Sequence, residues 1–221
     1  MDAVSIIALS MGTAWASGIN LYATVFMLGY MATTGNIALP QELEVLTNPM
    51  VMTAAGLMYC VEFFADKIPG VDSGWDSIHT FIRIPAGAML AASAIGDVTP
   101  AVELSAGILG GSLAAGSHMT KAGTRLLINT SPEPLSNWTA SISEDLLVIG
   151  GLWTALNHPV LFIVGLIVFI AFMIWLLPRI WRLLKRVFRR IGSWLGLCDP
   201  PEPDVLMTDE PKEKTVEQIK T

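Results

Sequence analysis

Residues 160–177 read VLFIVGLIVFIAFMIWLL, 18 consecutive positions without a charged, amide or hydroxyl side chain. Coiled as an α-helix at about 1.5 Å per residue, such a run crosses most of the roughly 30 Å hydrocarbon core of a bilayer. A backbone in hydrocarbon must satisfy its own hydrogen bonds, so a spanning helix is the expected form. Composition agrees: 52% of the 221 residues are hydrophobic and 14% charged, with a mean hydropathy of +0.57. Soluble domains average about 25% charged residues. Nineteen acids against 13 bases leave a net charge of −6, which argues against a nucleic-acid partner. Cys60 and Cys198 stand apart and form neither a disulfide framework nor a CxxC site.

Working back from residue 160, five less uniformly apolar spans are predicted at 137–156, 101–129, 74–95, 49–64 and 3–32. Pro49 suits a first helical position, and Ile68-Pro69-Gly70 and Asn157-His158-Pro159 interrupt helices. Pro85 predicts a kink inside the third span, and Pro178 an end to the sixth. Ala14-Trp15-Ala16 resembles a signal-peptide cleavage site, but Met1-Asp2 supplies no positive leader, so residues 3–32 read as a retained span.

With six spans, all 13 Lys and Arg fall in or near the connections and ends on one side, while connections 33–48, 96–100 and 157–159 hold none. The positive-inside rule then places both termini in the cytoplasm of a multi-pass inner-membrane protein. Asn129-Thr130-Ser131 and Asn137-Trp138-Thr139 look like glycosylation acceptors but fall on the cytoplasmic side, where they have no such meaning. Six spans also divide into two three-helix halves of opposite orientation, the arrangement of inverted repeats. Ala16-Ser17-Gly18 and Ala115-Gly116-Ser117 occupy equivalent places in those halves, as do Gly56-Leu57 and Gly151-Leu152.

Beyond the spans, residues 179–197 place Ile180, Leu184, Val187, Ile191 and Leu195 at helical spacing among Arg182, Lys185, Arg186, Arg189 and Arg190. Such an amphipathic helix lies on anionic lipid headgroups, acts as a stop-transfer anchor or binds a partner. Residues 198–221 hold seven acids, three lysines and Pro200, Pro201 and Pro203, a disordered composition. Three parts are therefore expected: an all-α six-span domain at 1–178, an interfacial helix at 179–197 and an acidic tail at 198–221.

Ionisable groups at membrane depth are costly and mark candidate sites. Asp76, His79 and Arg83 share one face of the third span at i, i+3, i+7, and His118, Lys121 and Arg125 repeat that spacing in the fourth. Depth along each helix sets Arg83 level with His118, His79 with Lys121 and Asp76 with Arg125. Glu62 and Asp66 from the second span and Glu144 and Asp145 from the fifth join the same layer. Asn20, within Ser17-Gly18-Ile19-Asn20 and followed by Tyr22, brings polar groups to the middle of the first span. A glycine there marks either an unwound helix that binds cargo or a close helix crossing. The layer itself reads either as a cytoplasm-facing vestibule, with His79 and His118 titrating near neutral pH, or as ion pairs that lock the helices. No HExxH or CxxC spacing supports a metal, and no GxSxG a hydrolase; Ser117 and His118 point to different faces.

Three strings carry a family resemblance: Ala16-Ser17-Gly18-Ile19-Asn20-Leu21-Tyr22; Glu62 to Pro69 with Val71-Asp72 and Trp75-Asp76; and Lys121-Ala122-Gly123-Thr124-Arg125 with Asn129-Thr130-Ser131-Pro132-Glu133-Pro134. They resemble the bacterial domain-of-unknown-function family 4126 over residues 5 to 175. The resemblance implies a small integral membrane protein and brings no catalytic role. The expected function is a small transporter or channel-like protein, without cofactor or catalytic residue. The alternatives are an assembly subunit of a larger membrane complex, self-association included, or a membrane enzyme acting on lipid headgroups.

Overall fold

A computed structural model describes residues 2–68, 70–129 and 134–194. Among the described residues the chain is all-helical, without strands. The order is α1 (Ala3–Thr33), a 3-10 helix (Gln41–Thr47), α2 (Pro49–Ala65), α3 (Val71–Ala94), α4 (Pro100–Ile128), α5 (Pro134–Asn157) and α6 (Pro159–Trp194). The chain divides into two compact units, Met1–Trp181 and Arg182–Thr221. In the second unit the described residues, 182–194, are helical. The rest of the expected interfacial segment, 195–197, and the acidic tail lie outside the described residues.

Local chemistry starts each helix. The Asp2 carboxylate accepts the Ser5 N–H at 2.9 Å and caps α1, and bonds from the Ser5 side chain and backbone hold its carboxyl below the usual carboxylate range. Asn48 caps α2 by accepting from Met50 at 2.9 Å, and Pro49 and Pro100 open α2 and α4 with φ already set. Between α2 and α3 the chain turns at Gly70, whose φ of 86° a side chain would strain.

Pro178 does not end the last helix, contrary to the sequence expectation; α6 continues through it to Trp194. A proline removes one backbone donor, here the i+4 partner of the Ile174 carbonyl, and one lost bond does not stop the helix. The Arg179 guanidinium donates to the Trp175 carbonyl at 2.6 Å and lies 3.7 Å from the centre of the Trp175 ring. Pro85 likewise lies inside a continuous α3.

α1 packs against α2, α3, α4 and α5 and is buried around most of its circumference. Trp15 anchors one cluster, meeting Phe162 and Phe169 edge-on at 6.0 and 5.8 Å. Leu9, Leu21 and Leu28 form a second with Leu43 and Leu46 of the 3-10 helix and Leu90 of α3. Close approach is set by small residues: a Cβ on Gly110 would overlap Ala91, and one on Gly87 would overlap Ala114. Ser10 donates to the Ala91 carbonyl at 2.8 Å and Ser117 to the Trp15 carbonyl at 3.0 Å, tying α1 to α3 and α4.

The helical path of α1 breaks at Asn20, with φ −146° and ψ 98°. The Asn20 side chain accepts the Ala23 N–H at 2.9 Å and so caps the second half of α1, as Asp2 caps the first. α4 is continuous through Ala115-Gly116-Ser117, so this break has no counterpart there. α1 and α6 are long and apolar enough to cross a membrane.

Gly18, two residues before the break, faces the Ser117 hydroxyl and the Ala114 backbone carbonyl with no room for a Cβ. Gly18→Ala is expected to cost about 1–3 kcal/mol through overpacking. Gly150→Ala, which meets open space, serves as the comparison. Thermal unfolding of the detergent-solubilised protein measures the difference, with the Gly18 variant melting lower and the Gly150 variant at or above the parent.

Candidate functional site

The residues that build the site are charged and buried together. Arg83 and Glu62 are each 0% exposed, and Asp66, Lys67, Asp72, Asp76, His79, His118, Lys121 and Arg125 are buried as well. α3 contributes Asp76, His79 and Arg83 from one face, α4 contributes His118, Lys121 and Arg125, and the end of α2 and the middle of α5 supply the acids. Of the eleven positions singled out from the sequence, Glu62, Asp66, Asp76, Arg83, His118, Lys121, Arg125 and Glu144 form one connected network, while His79 bonds to Tyr22 of α1 and Asp145 to Asn20 of α1.

Arg83 is the deepest cation. Its guanidinium donates to Glu62 from α2, folds back two turns to Asp76 Oδ1 at 3.0 Å, and reaches His118 Nδ1 at 3.2 Å. Lys121 donates to Glu62 Oε1 at 3.1 Å and to Asp66 Oδ2 at 2.8 Å, with Asp76 at 3.8 Å and Glu144 at 3.6 Å. Arg125 grips Glu144 with two donors, Nε to Oε1 at 3.0 Å and Nη2 to Oε2 at 2.8 Å. Its Nη1 donates to the Asp66 and Asn137 carbonyls at 2.9 and 3.1 Å. Three bases therefore join α2, α3, α4 and α5.

The depth ordering holds for Arg83 with His118 and departs elsewhere. Asp76 meets Arg83 and Lys121, and His79 turns to Tyr22 of α1, 3.0 Å from its hydroxyl. The reason is side-chain length: an Arg or Lys carries its charge about a helical turn away from its own Cα, so the charges do not share the level of their backbones.

The two histidines differ in protonation chemistry. Arginine keeps its proton in proteins, so His118 Nδ1 accepts from Arg83, and the ring is neutral with Nε2–H donating to Thr80 Oγ1 at 2.7 Å. The sequence expectation that His118 titrates near neutral pH is thereby corrected: a second proton, on Nδ1, would displace the bond from Arg83 and set two cations against each other. His79 Nδ1 lies 2.9 Å from the Trp75 carbonyl, which only accepts, so Nδ1 carries hydrogen and Nε2 receives the Tyr22 hydroxyl. The His79 ring is stacked on Trp75 at 4.3 Å.

Sequence reasoning missed a polar clasp at one edge of the layer. Asp72, 0% exposed, accepts from the Gly70 and Ser73 backbone N–H groups at 2.9 and 2.6 Å and from the Asn129 amide at 2.9 Å. Asn137 in turn donates to Asn129 Oδ1 at 2.9 Å. The two asparagines that resembled glycosylation acceptors thus join the α2–α3 turn to α4 and α5. Their only signal in the sequence was an amide at the end of one predicted span and another at the start of the next.

Four carboxylate oxygens in the layer are buried without a partner: Glu62 Oε2, Asp66 Oδ1, Asp76 Oδ2 and Asp145 Oδ2. Asp145 approaches α1 through its other oxygen, which accepts from the Asn20 amide at 3.1 Å. Lys67, the fourth base, caps its own helix by donating to the Phe63 carbonyl at 2.9 Å and reaches Ser141 at 3.3 Å. Ser117 spends its hydroxyl on carbonyls of α1 and α4, so it does not pair with His118 as a nucleophile would. Among the described residues no group of three or more His, Cys, Asp or Glu is arranged around a metal position.

The family model described as a domain of unknown function (DUF4126) matches residues 7–179. The chain belongs to the DUF4126 family. The DUF4126 match takes in every residue of the ionic layer and stops short of the second compact unit. No curated protein and no solved structure matches the chain.

Arg83→Met would leave Glu62 and Asp76 facing a methionine, and breaking a buried pair from one side costs about 3–5 kcal/mol. The double variant Arg83→Met/Glu62→Gln is expected to recover part of that loss, because one stranded carboxylate is removed with the base. Melting temperatures of the two variants in detergent check the order.

Proposed function

We propose that the chain is a six-span inner-membrane protein whose buried ionic layer is the closed site of a small transporter or channel-like protein. The observation that carries this reading is the inverted distribution of polarity. α3 buries Asp76, His79 and Arg83 while Phe81 is 82% and Met89 69% exposed, and α4 buries His118, Lys121 and Arg125 while exposing Leu104, Ile108 and Leu109. In water that arrangement would carry the cost of dehydrated charges and of solvated hydrocarbon at once; in a bilayer the second cost vanishes, because the apolar faces meet lipid, and the first is offset by the ion pairs. Charges therefore disqualify α3, α4 and α5 as apolar segments by count but not by surface. The broken α1, with polar groups at its middle, supports a solute or ion site, since discontinuous helices free backbone groups for binding. The unpartnered carboxylate oxygens support it too, because a layer serving only to lock helices gains nothing from them.

An assembly-subunit role is the second reading, favoured by an open groove of about 810 Å³ between α3 and α4. Ala88, Ala92, Gly107, Gly111 and Ala115 line it with small side chains that admit another helix. The basic residues of 179–197 would rest on anionic headgroups under either reading. A lipid-headgroup enzyme has less support, since His118 is committed to Arg83.

Two measurements test the proposal. In a background with Cys60 and Cys198 replaced by serine, cysteines at Asn36 and Asp97 are expected to react with an impermeant maleimide on intact cells, and one at Lys214 only after lysis. In proteoliposomes under an imposed potential, the parent protein is expected to dissipate a pH or cation gradient. Glu62→Gln and Glu144→Gln, checked for folding by melting, are expected to abolish that flux. Inert parent protein, or flux undiminished in both folded variants, overturns the transport reading, and co-purification of a larger complex lost on deleting residues 179–221 would favour the assembly role.

A further inference from the structure

Five carboxylates were placed in the layer, and four of them have a cation at salt-bridge distance: Glu62, Asp66, Asp76 and Glu144. Asp145 has none. Its environment is also unlike that of Asp72, the other buried carboxylate without a cation, which is solvated by four donors at the start of α3. Asp145 meets only neutral donors, the Asn20 amide on Oδ1 at 3.1 Å and the Tyr59 hydroxyl beside the carboxyl, and its buried Oδ2 has no close hydrogen bond. The charged and titratable groups around it are Tyr59, Asp66 and Lys67 from α2 and its end, Lys121 from α4 and its neighbour Glu144, none in an ion pair with it. A carboxylate with one oxygen bare and no counter-charge is the costliest arrangement in the layer, and a single proton removes that cost.

We propose that Asp145 Oδ2 is a proton-binding position, and that its occupancy acts on the break in α1 through Asn20. With the proton on Oδ2, the carbonyl oxygen Oδ1 still accepts the Asn20 amide, and the new O–H faces the Tyr59 hydroxyl as acceptor. Without it, the full charge pulls on the Asn20 amide and on Lys67 and Lys121. Asn20 holds both ends of this relay, because the same side chain caps the second half of α1 through Ala23. The inference rests on the transport reading only for its use, as the coupling ion of that site; proton binding itself is measured without flux.

Infrared difference spectra of the full-length protein in liposomes, taken across a pH titration, test it. The parent is expected to show the C=O stretch of a buried protonated carboxylic acid, shifted by ¹³C-aspartate labelling and lost as the pH is raised. Asp145→Asn is expected to lose the band while Asp66→Asn retains it. Should Asp145→Asn fail to fold, Asn20→Ala decides the matter: the band persists but moves to higher frequency, because Oδ1 has lost its donor. A band absent from the parent, unchanged in Asp145→Asn, unshifted in Asn20→Ala, or abolished by sodium at constant pH overturns the proposal, the last by showing a metal-cation site instead. A band assigned to Asp145 in a protein without flux leaves this inference standing and removes the transport reading, and flux without the band does the reverse.

Discussion

Arg83 carries a charge that it cannot shed, in a place with no water to solvate it. Everything near it follows from that constraint. Glu62 must come from α2 and Asp76 from two turns back along α3, because a lone guanidinium in a low-dielectric interior is prohibitively unstable. Glu62 then also takes Lys121, which shares Asp66, beside which Arg125 sits with Glu144. Each base bridges acids on different helices, so the pairs fix which faces of α2 to α5 look inward. The apolar remainder of α3 and α4, Phe81, Met89, Leu104 and Ile108 among it, is left on the outside.

The ionic layer and the packing of α1 depend on each other. Gly18, Gly87 and Gly110 let α1, α3 and α4 approach closely enough for Ser10 and Ser117 to reach backbone carbonyls across helices. That proximity brings the Asn20 break against Asp145 and Tyr22 against His79. α1 thus contacts the layer through two neutral side chains, an amide and a phenol, which adjust to a proton without demanding a counter-charge. His118, held neutral between Arg83 and Thr80, forms a fixed wall beside them.

Much of this was legible before any coordinates. The helix starts at Pro49 and Pro100 follow from proline's fixed φ, and the membership of the layer follows from the 3.6-residue period, which puts Asp76 with Arg83 and Lys121 with Arg125 on single faces. Pro178 misled, because a sequence shows the one missing donor but not whether the turns on either side hold the helix together across it. Asp72, Asn129 and Asn137 were passed over because a hydrogen-bonded clasp between three turns has no periodicity to reveal it.

By itself, then, the sequence determined the helices and which residues share their inward faces, because helix geometry is local and the period of the polar positions is readable along each segment. It could not determine who pairs with whom. Glu62 is 21 residues from Arg83 and 59 from Lys121, and Asn20 lies 125 residues from Asp145. Such partners are chosen by the crossing of helices and the reach of long side chains, and only the assembled bundle settles both. The same holds for the tautomer of His118 and for the bare, buried Asp145 Oδ2: each depends on a donor or its absence across a helix interface, which is a property of the tertiary structure alone.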